Sequence, residues 1–475
     1  MTALAPLWTA AEAASATAGR TAGDWACTGV SIDSRTVGEG DLFVALAGPS
    51  FDGHDFVAQA LEKGAAAALV HRVPEGVDAA RLLVVDDTLA GLRDLGIAAR
   101  ARLTGRVIAV TGSVGKTGAK EMLRLACGAL GTTTASEGSF NNHWGLPLSL
   151  ARTPRDTAWC VLEMGMNHAG ELRDLTAVAR PHVAIVTTVA AVHIEFFASV
   201  ADIARAKAEI LEGVVEGGTA VLPRDNDHFD ILRGVAAERA LRVVTFGEHP
   251  DSDLRLEAVE PGESTTAVRA SLAGKPLVYT VGAVGKHWAL NSLAVLAAVD
   301  AAGGDATTAA LALGAMEPPK GRGRRQSISL PKSHGGGLLT VIDESYNASP
   351  VSVRAALGVL RTAAVGPGGR RIAVLGDMRE LGVQADAMHA GLADAVTAGG
   401  IDVVHCCGPH MARLHDALPP ALRGLYAADS AALAPLVAAD VRAGDTVTVK
   451  GSLGSRMKVV LDALLALDTA ADDGR

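Results

Sequence analysis

Aromatic side chains are scarce, at 3% of 475 residues, although apolar residues make up 49%. A core with so few rings must be filled by Ala, Val and Leu, which suits helices packed on sheets. Cysteine is sparse too. The five cysteines (Cys27, Cys127, Cys160, Cys406 and Cys407) form no C-x-x-C pair, and such a scattered set reads as buried thiols in a reducing compartment. Basic residues are outnumbered, 43 to 52, for a formal net charge of -9. That balance argues against a nucleic-acid partner but leaves room for a local basic pocket that takes a small anion. No uncharged apolar run reaches the roughly 18 residues of a membrane span, and the opening "MTALAPLWTAAEAASA" lacks the basic n-region of a signal peptide. The expectation is a cytoplasmic, monomeric protein with no membrane span.

A further absence is local. The stretch "RVIAVTGSVGKTGAKEML", residues 106–123, reads as a strand, a glycine turn and a helix. It resembles a phosphate-binding loop, but the pattern G-x-x-x-x-G-K-[ST] needs a glycine where Val110 stands. What is present still suits a phosphate. Gly112 and Gly115 let the backbone turn its N–H groups inward, and the following helix presents its positive end. Lys116 supplies a point charge and Thr117 a hydroxyl for Mg²⁺. Ser113, Val114 and Gly118 complete the expected nucleotide contact. The plainer alternative is a tight turn with a solvated lysine.

At about 150 residues per domain, the length suggests about three domains. Residues 1–86 hold short strand-like pieces ("GVSIDSR", "GDLFVAL", "AAAALV", "RLLVV") around a helical stretch. Residues 87–319 open with a helical segment and then alternate strands ("TAWCVLEMG", "HVAIVTTV", "GGTAVLP", "LRVVTFG") with helices, the pattern of a mostly parallel sheet. The Pro-, Gly- and Arg-rich "MEPPKGRGRR", residues 316–325, reads as a linker into a third α/β unit, residues 320–475.

The variant loop T-G-x-x-G-K-T, Thr111 to Thr117, resembles that of the Mur ligases and the related folylpolyglutamate synthases. "SIDSRTVGEGDLFVALAGPSFDGHDF" looks like the family's N-terminal UDP-binding unit. "SFNNHWGLPLSL", "VLEMGMNHAGEL", "DESYNASPVS", "VLGDMRELG" and "VKGS" look like the family member that adds a dipeptide. The resemblance implies a three-domain α/β fold: a small UDP-binding domain, a central P-loop-type ATPase domain and a C-terminal Rossmann-like domain. It implies ATP-dependent joining of D-alanyl-D-alanine to UDP-N-acetylmuramoyl-tripeptide through an acyl phosphate, with Mg²⁺, in peptidoglycan synthesis. Two rivals stay open: another amino-acid-adding Mur ligase, and a P-loop ATPase switch.

The resemblance also assigns residues. Glu163, at a strand's C-terminal end where α/β sheets bind ligands, matches a Mg²⁺ ligand, and His193 a second one. Without the match, Glu163 reads as a solvated strand-end acid and His193 as a core residue. Lys207 matches a lysine that becomes a metal-bridging carbamate; on helix spacing alone it reads as an exposed lysine near Arg205 and Glu209. Asn141 and Asn142 match the substrate or phosphate region. Asn291, which shares a helix face with His287, matches a contact to the nucleotide base. Arg322, in the linker, would reach the γ-phosphate as the third domain closes. Asp343, Tyr346 and Asn347 match nucleotide contacts, with Asp343 near the ribose. Lys450 and Ser452 match substrate-carboxylate contacts. Ser34 and Arg35, with Asp52, Gly53 and His54, match UDP contacts.

Overall fold

The computed structural model describes residues 6–48 and 51–469; Pro49 and Ser50 of the first-domain stretch quoted above, and both chain ends, lie outside the described residues. Three sheets of five or more strands follow one another along the chain. The first has five strands, in the order Arg20–Thr21, Leu82–Val84, Ala67–Val70, Asp41–Val44, Gly29–Ser31. All its pairings are parallel except that of the short edge strand Arg20–Thr21. The four expected strands are all there. Ala67–Val70 is buried throughout, as a short apolar run in a parallel sheet must be.

The helix Thr88–Arg102 starts on Asp87, whose side chain accepts a hydrogen bond from Ala90 N. It packs against the helix Gly145–Ala151 of the same unit. Gly96 permits this: a Cβ there would lie 3.0 Å from the Pro147 backbone.

The second sheet has nine strands: Thr133–Ala135, Trp159–Glu163, Arg106–Thr111, Val183–Val186, Thr219–Pro223, Arg242–Gly247, Leu254–Pro261, Thr266–Leu272, Lys275–Val281. Pairing is parallel as far as Leu254–Pro261, and the last two pairings are antiparallel. This antiparallel extension is not among the expected strands. Thr266–Leu272 alternates buried and exposed residues at its start, the mark of a sheet with one face in solvent.

The third sheet runs Arg324–Ser329, Leu338–Glu344, Thr446–Lys450, Arg371–Gly376, Val403–Cys407, Arg423–Ala427, antiparallel only at its first pair. The expected linker is therefore shorter than its sequence suggests. Arg324 and Arg325 already belong to the edge strand, opposite Asp343 and Ile342. The connection turns on Gly321 and Gly323, at φ 75° and 102°.

Both larger sheets place a switch in strand order beside a central strand. Arg106–Thr111 lies between Trp159–Glu163 and Val183–Val186, and Thr446–Lys450 lies between Leu338–Glu344 and Arg371–Gly376. Ligands bind outside the carboxyl ends of strands at such points. Here the two sets of strand ends face one cleft.

Candidate active site

The cleft has a volume of about 940 Å³ and is walled by the second and third units. Its floor is the loop that follows the strand Arg106–Thr111. Gly112 (φ 151°) and Gly115 (φ 90°) take backbone conformations that side-chain-bearing residues avoid. A Cβ at Gly112 would lie 1.9 Å from Thr187 Oγ1, and one at Gly115 would lie 2.8 Å from the Asn291 amide.

The loop is tied to the neighbouring strand end. Thr187 Oγ1 donates to Val114 O (2.6 Å), Ser113 N donates to Thr188 O (2.8 Å), and Ser113 Oγ bridges Ala190. Lys116 opens the helix Lys116–Gly128, and its Nζ donates to Gly112 O at 2.7 Å, across the mouth of the loop. Burial lowers the Lys116 pKa; the Glu163 carboxylate opposes this and Arg322 adds to it. Thr117, one residue on, also lines the cleft.

Glu163 ends its strand at 1% exposure. Its Oε1 accepts from Asn141 Nδ2 at 2.8 Å, while Oε2 is buried with no hydrogen-bond partner. A buried carboxylate oxygen without a donor, in the same cleft as Thr117, offers with that residue's hydroxyl the hard oxygens that suit Mg²⁺. Among the described residues no three His, Cys, Asp or Glu side chains gather to hold a metal.

His193 lines the cleft at φ 59°, and its Nδ1 meets the carboxylate of Glu380 from the third unit. Burial lowers its pKa, and the Glu380 carboxylate partly offsets this. Lys207 does not line the cleft; it is 2% exposed, and burial, reinforced by Lys116, depresses its pKa well below the usual lysine value. The exposed-lysine alternative is thus overturned: Ile203, Lys207 and Ile210 share the buried face of their turn. The supposed neighbours are engaged elsewhere, Arg205 with Asp202 and Glu209 with the backbone N–H groups of Gly170 and Arg173.

The opposite wall comes from the third unit and the connection. Arg322 lies over the Tyr346 ring, 4.4 Å from its centroid, and Tyr346 Oη shares a 2.9 Å hydrogen bond with Ser139 Oγ of the second unit. Lys450 Nζ donates to Glu344 Oε2 (3.1 Å) and Asn347 O (2.9 Å). Asn141, Asn142 and Asn291 line the cleft, and Asn142 also accepts from Gly145 N at the start of its helix.

Not every assigned residue reaches the cleft. Asp343 does not line it; its carboxylate accepts from Gly321 N, Ser345 N and Ser345 Oγ and so clamps the connection. Ser452 is buried, donates to Ala348 O and accepts from Arg379 N. The first-unit residues lie apart. Arg35 is exposed and paired with Asp33. The Ser34 carbonyl accepts from Lys63. Beside the buried Gly53, the Asp52 carboxylate bonds His54 Nδ1 (2.6 Å), and His54 Nε2 accepts from His71 N (3.0 Å).

Sequence reasoning missed Thr187, Glu344 and Glu380. Glu344 had a signal. It follows Asp343 in a strand, and side chains alternate faces, so if Asp343 clamps the connection, Glu344 faces the cleft.

Comparison with known proteins agrees with this arrangement. Residues 26–98 match the family model described as "Mur ligase family, catalytic domain", residues 110–299 the "Mur ligase middle domain", and residues 324–453 the "Mur ligase, glutamate ligase domain". The chain is 34% identical to the UDP-N-acetylmuramoyl-tripeptide–D-alanyl-D-alanine ligase of Escherichia coli K12, covering 92% of this chain and 93% of that protein. It is 33% identical to the same-named ligase of Mycobacterium tuberculosis H37Rv, covering 93% and 92%. Crystal structure I of MurF from Acinetobacter baumannii superposes with a TM-score of 0.83 at 28% identity, covering 98% of this chain and 99% of that one. MurF from Thermotoga maritima, in complex with ADP, gives 0.75 at 27% identity, covering 92% and 97%. Matched by the three family models over most of its length, and 34% identical to a ligase of the family over 92% of its residues, this chain belongs to the Mur ligase family.

Proposed function

We infer that this protein joins D-alanyl-D-alanine to UDP-N-acetylmuramoyl-tripeptide at the expense of ATP, forming the pentapeptide precursor of peptidoglycan. The observation that carries the reading is the shared cleft. A phosphate loop and a buried carboxylate with a free oxygen face Arg322, Tyr346 and Lys450 across a space large enough for several ligands. The full-length likeness to ligases of that name supports the choice of substrates. A switch ATPase would leave the cleft's third wall without a purpose.

The tripeptide's terminal carboxylate takes the γ-phosphoryl group of ATP and ADP leaves. The dipeptide's amine then attacks the acyl carbon, phosphate departs and the amine loses a proton. Lys116 exchanges its contact with Gly112 O for the phosphates. Asn291 and Tyr346 hold the nucleotide, and Arg322 meets the γ-phosphate from the side of the third unit. Asn141 holds Glu163 in place, with Asn142 beside it. Glu163 and Thr117 would hold Mg²⁺, with His193 as the second-metal ligand, and the metal would neutralise charge at the phosphates. Lys450 and Ser452 belong to the region that receives the dipeptide carboxylate, and Ser34, Arg35, Asp52, Gly53 and His54 to the one that receives UDP.

Lys207 is the proposed carbamate. Burial favours its neutral amine, which adds to CO₂ with loss of one proton. We divide the chain at 86/87 and 319/320. We take the protein to act as a monomer. The buried free cysteines suit the cytoplasm.

The test is coupled ADP release with the UDP-linked tripeptide and a panel of amines: D-alanyl-D-alanine, L-alanyl-L-alanine, D-alanine, L-lysine, meso-diaminopimelate and D-glutamate. D-alanyl-D-alanine should be fastest. A faster single amino acid would assign the chain to another amino-acid-adding branch.

A further inference from the structure

The helix that carries Lys116 carries a second lysine one turn later. Lys120 is 1% exposed, and its side chain is among the largest that are fully buried. All three of its N–H donors are matched. Nζ donates to Ser136 O (2.9 Å) and Gly138 O (3.2 Å) and pairs with Glu121 Oε1 (2.6 Å). A buried ammonium so fully used is not a solvated helix residue. It also does not line the cleft.

Its backbone partners begin a segment that does. Ser136 accepts from Glu163 N through its hydroxyl (3.3 Å), and Gly138, at φ 49°, turns the chain. One residue on, Ser139 bonds Tyr346 of the third unit (2.9 Å), and two residues further Asn141 bonds Glu163 Oε1 (2.8 Å). The segment 136–141 thus meets Glu163 at its backbone N–H and at its carboxylate, and the third unit at another point, and Lys120 ties its first turn to the phosphate-loop helix.

We propose that Lys120 is a positioning residue: by fixing the carbonyls of Ser136 and Gly138 it sets Asn141, and through Asn141 the Glu163 carboxylate, for the divalent cation. This rests on the Mg²⁺ assignment made above for Glu163. Second-layer partners of metal ligands typically carry 10–100-fold of metal affinity. Lys120→Met keeps the length of the side chain and removes every donor.

The experiment reads Mn²⁺ binding to the ADP-loaded protein by loss of the free Mn²⁺ spin-resonance signal, together with amide hydrogen exchange over residues 136–142. Lys120→Met should weaken Mn²⁺ binding by about 10-fold or more and speed exchange in that segment. Asn141→Ala should weaken Mn²⁺ binding similarly. Because the two act in series, the double variant should be no worse than about 2-fold below the weaker single variant. Glu121→Gln, which keeps both carbonyl contacts, should bind Mn²⁺ as the unmodified protein does.

Unchanged Mn²⁺ affinity in Lys120→Met, losses that multiply in the double variant, or the full loss in Glu121→Gln would each overturn the proposal. If Lys120→Met does not fold, Asn141→Ala decides alone, since retained affinity there breaks the chain of contacts. Failure of the unmodified protein to bind Mn²⁺ with ADP would instead overturn the Mg²⁺ assignment itself.

Discussion

Single residues in the cleft differ in how openly the sequence announces them. Lys116 is announced by its place between Gly115 and a helix. Lys116→Ala should lower turnover by about 10²–10³-fold, the scale for one preorganised donor at a developing charge; stopped-time ADP assays on folded protein check this. Lys207 is not announced: on helix spacing alone it reads as an exposed lysine beside Arg205 and Glu209, and only the folded chain shows it buried. Lys207→Ala should be nearly inactive and partly rescued by short-chain carboxylates that stand in for the carbamate, and full activity would remove the lysine from the mechanism. Other residues left no local trace. The Ser139–Tyr346 and His193–Glu380 contacts join positions 207 and 187 residues apart, and no window of sequence encodes a meeting at that distance. The Asp343 role in the connection was hidden for the same reason, since its partner Gly321 lies across a strand pairing.

At the scale of elements, the apolar strands of the parallel sheets were legible because burial on both faces leaves continuous runs of Val, Ile, Leu and Ala. The antiparallel extension was not, because its half-solvated strands mix polar and apolar residues. The phosphate loop shows how one element depends on the next. Its sequence explains the glycines, but its conformation is held by Thr187 at the end of another strand. Thr187→Val keeps the shape and removes the donor to Val114 O, leaving a carbonyl unpaired at a cost of about 1–3 kcal/mol. The variant should unfold at lower temperature and bind ADP more weakly by calorimetry. Wild-type ADP affinity would mean that the glycines alone shape the loop.

Over the whole molecule, several histidines are held neutral by burial. His54, His287, His389 and His405 are all pushed down, and His182 is pushed down to about 4. His389 shows why: Nδ1 faces the Ala385 carbonyl, so it must carry the proton, while Nε2 accepts from Met378 N. The unfolded chain titrates these rings near 6.5 and so binds more protons than the folded one below that value. The stability they contribute is complete above about pH 6.5 and is lost as pH falls below it, for His182 toward about 4. Glu209 and Asp94, raised by burial, act in the opposite sense among the carboxylates. Thermal unfolding should therefore shift to lower temperature between pH 7 and pH 5, with proton uptake on unfolding at pH 6. A midpoint that does not move across that interval would contradict this account.

The connection at residues 317–323 is short, and Asp343 grips it through Gly321 N. As the covalent link between the two walls of the cleft, it acts as a tether. A tether of a few residues holds its two ends at an effective concentration in about the millimolar range, so meeting of the walls is a first-order event, indifferent to how dilute the protein is. Severing the backbone there would turn the same event into a second-order encounter, and the rate of the reaction would begin to depend on the amount of enzyme squared.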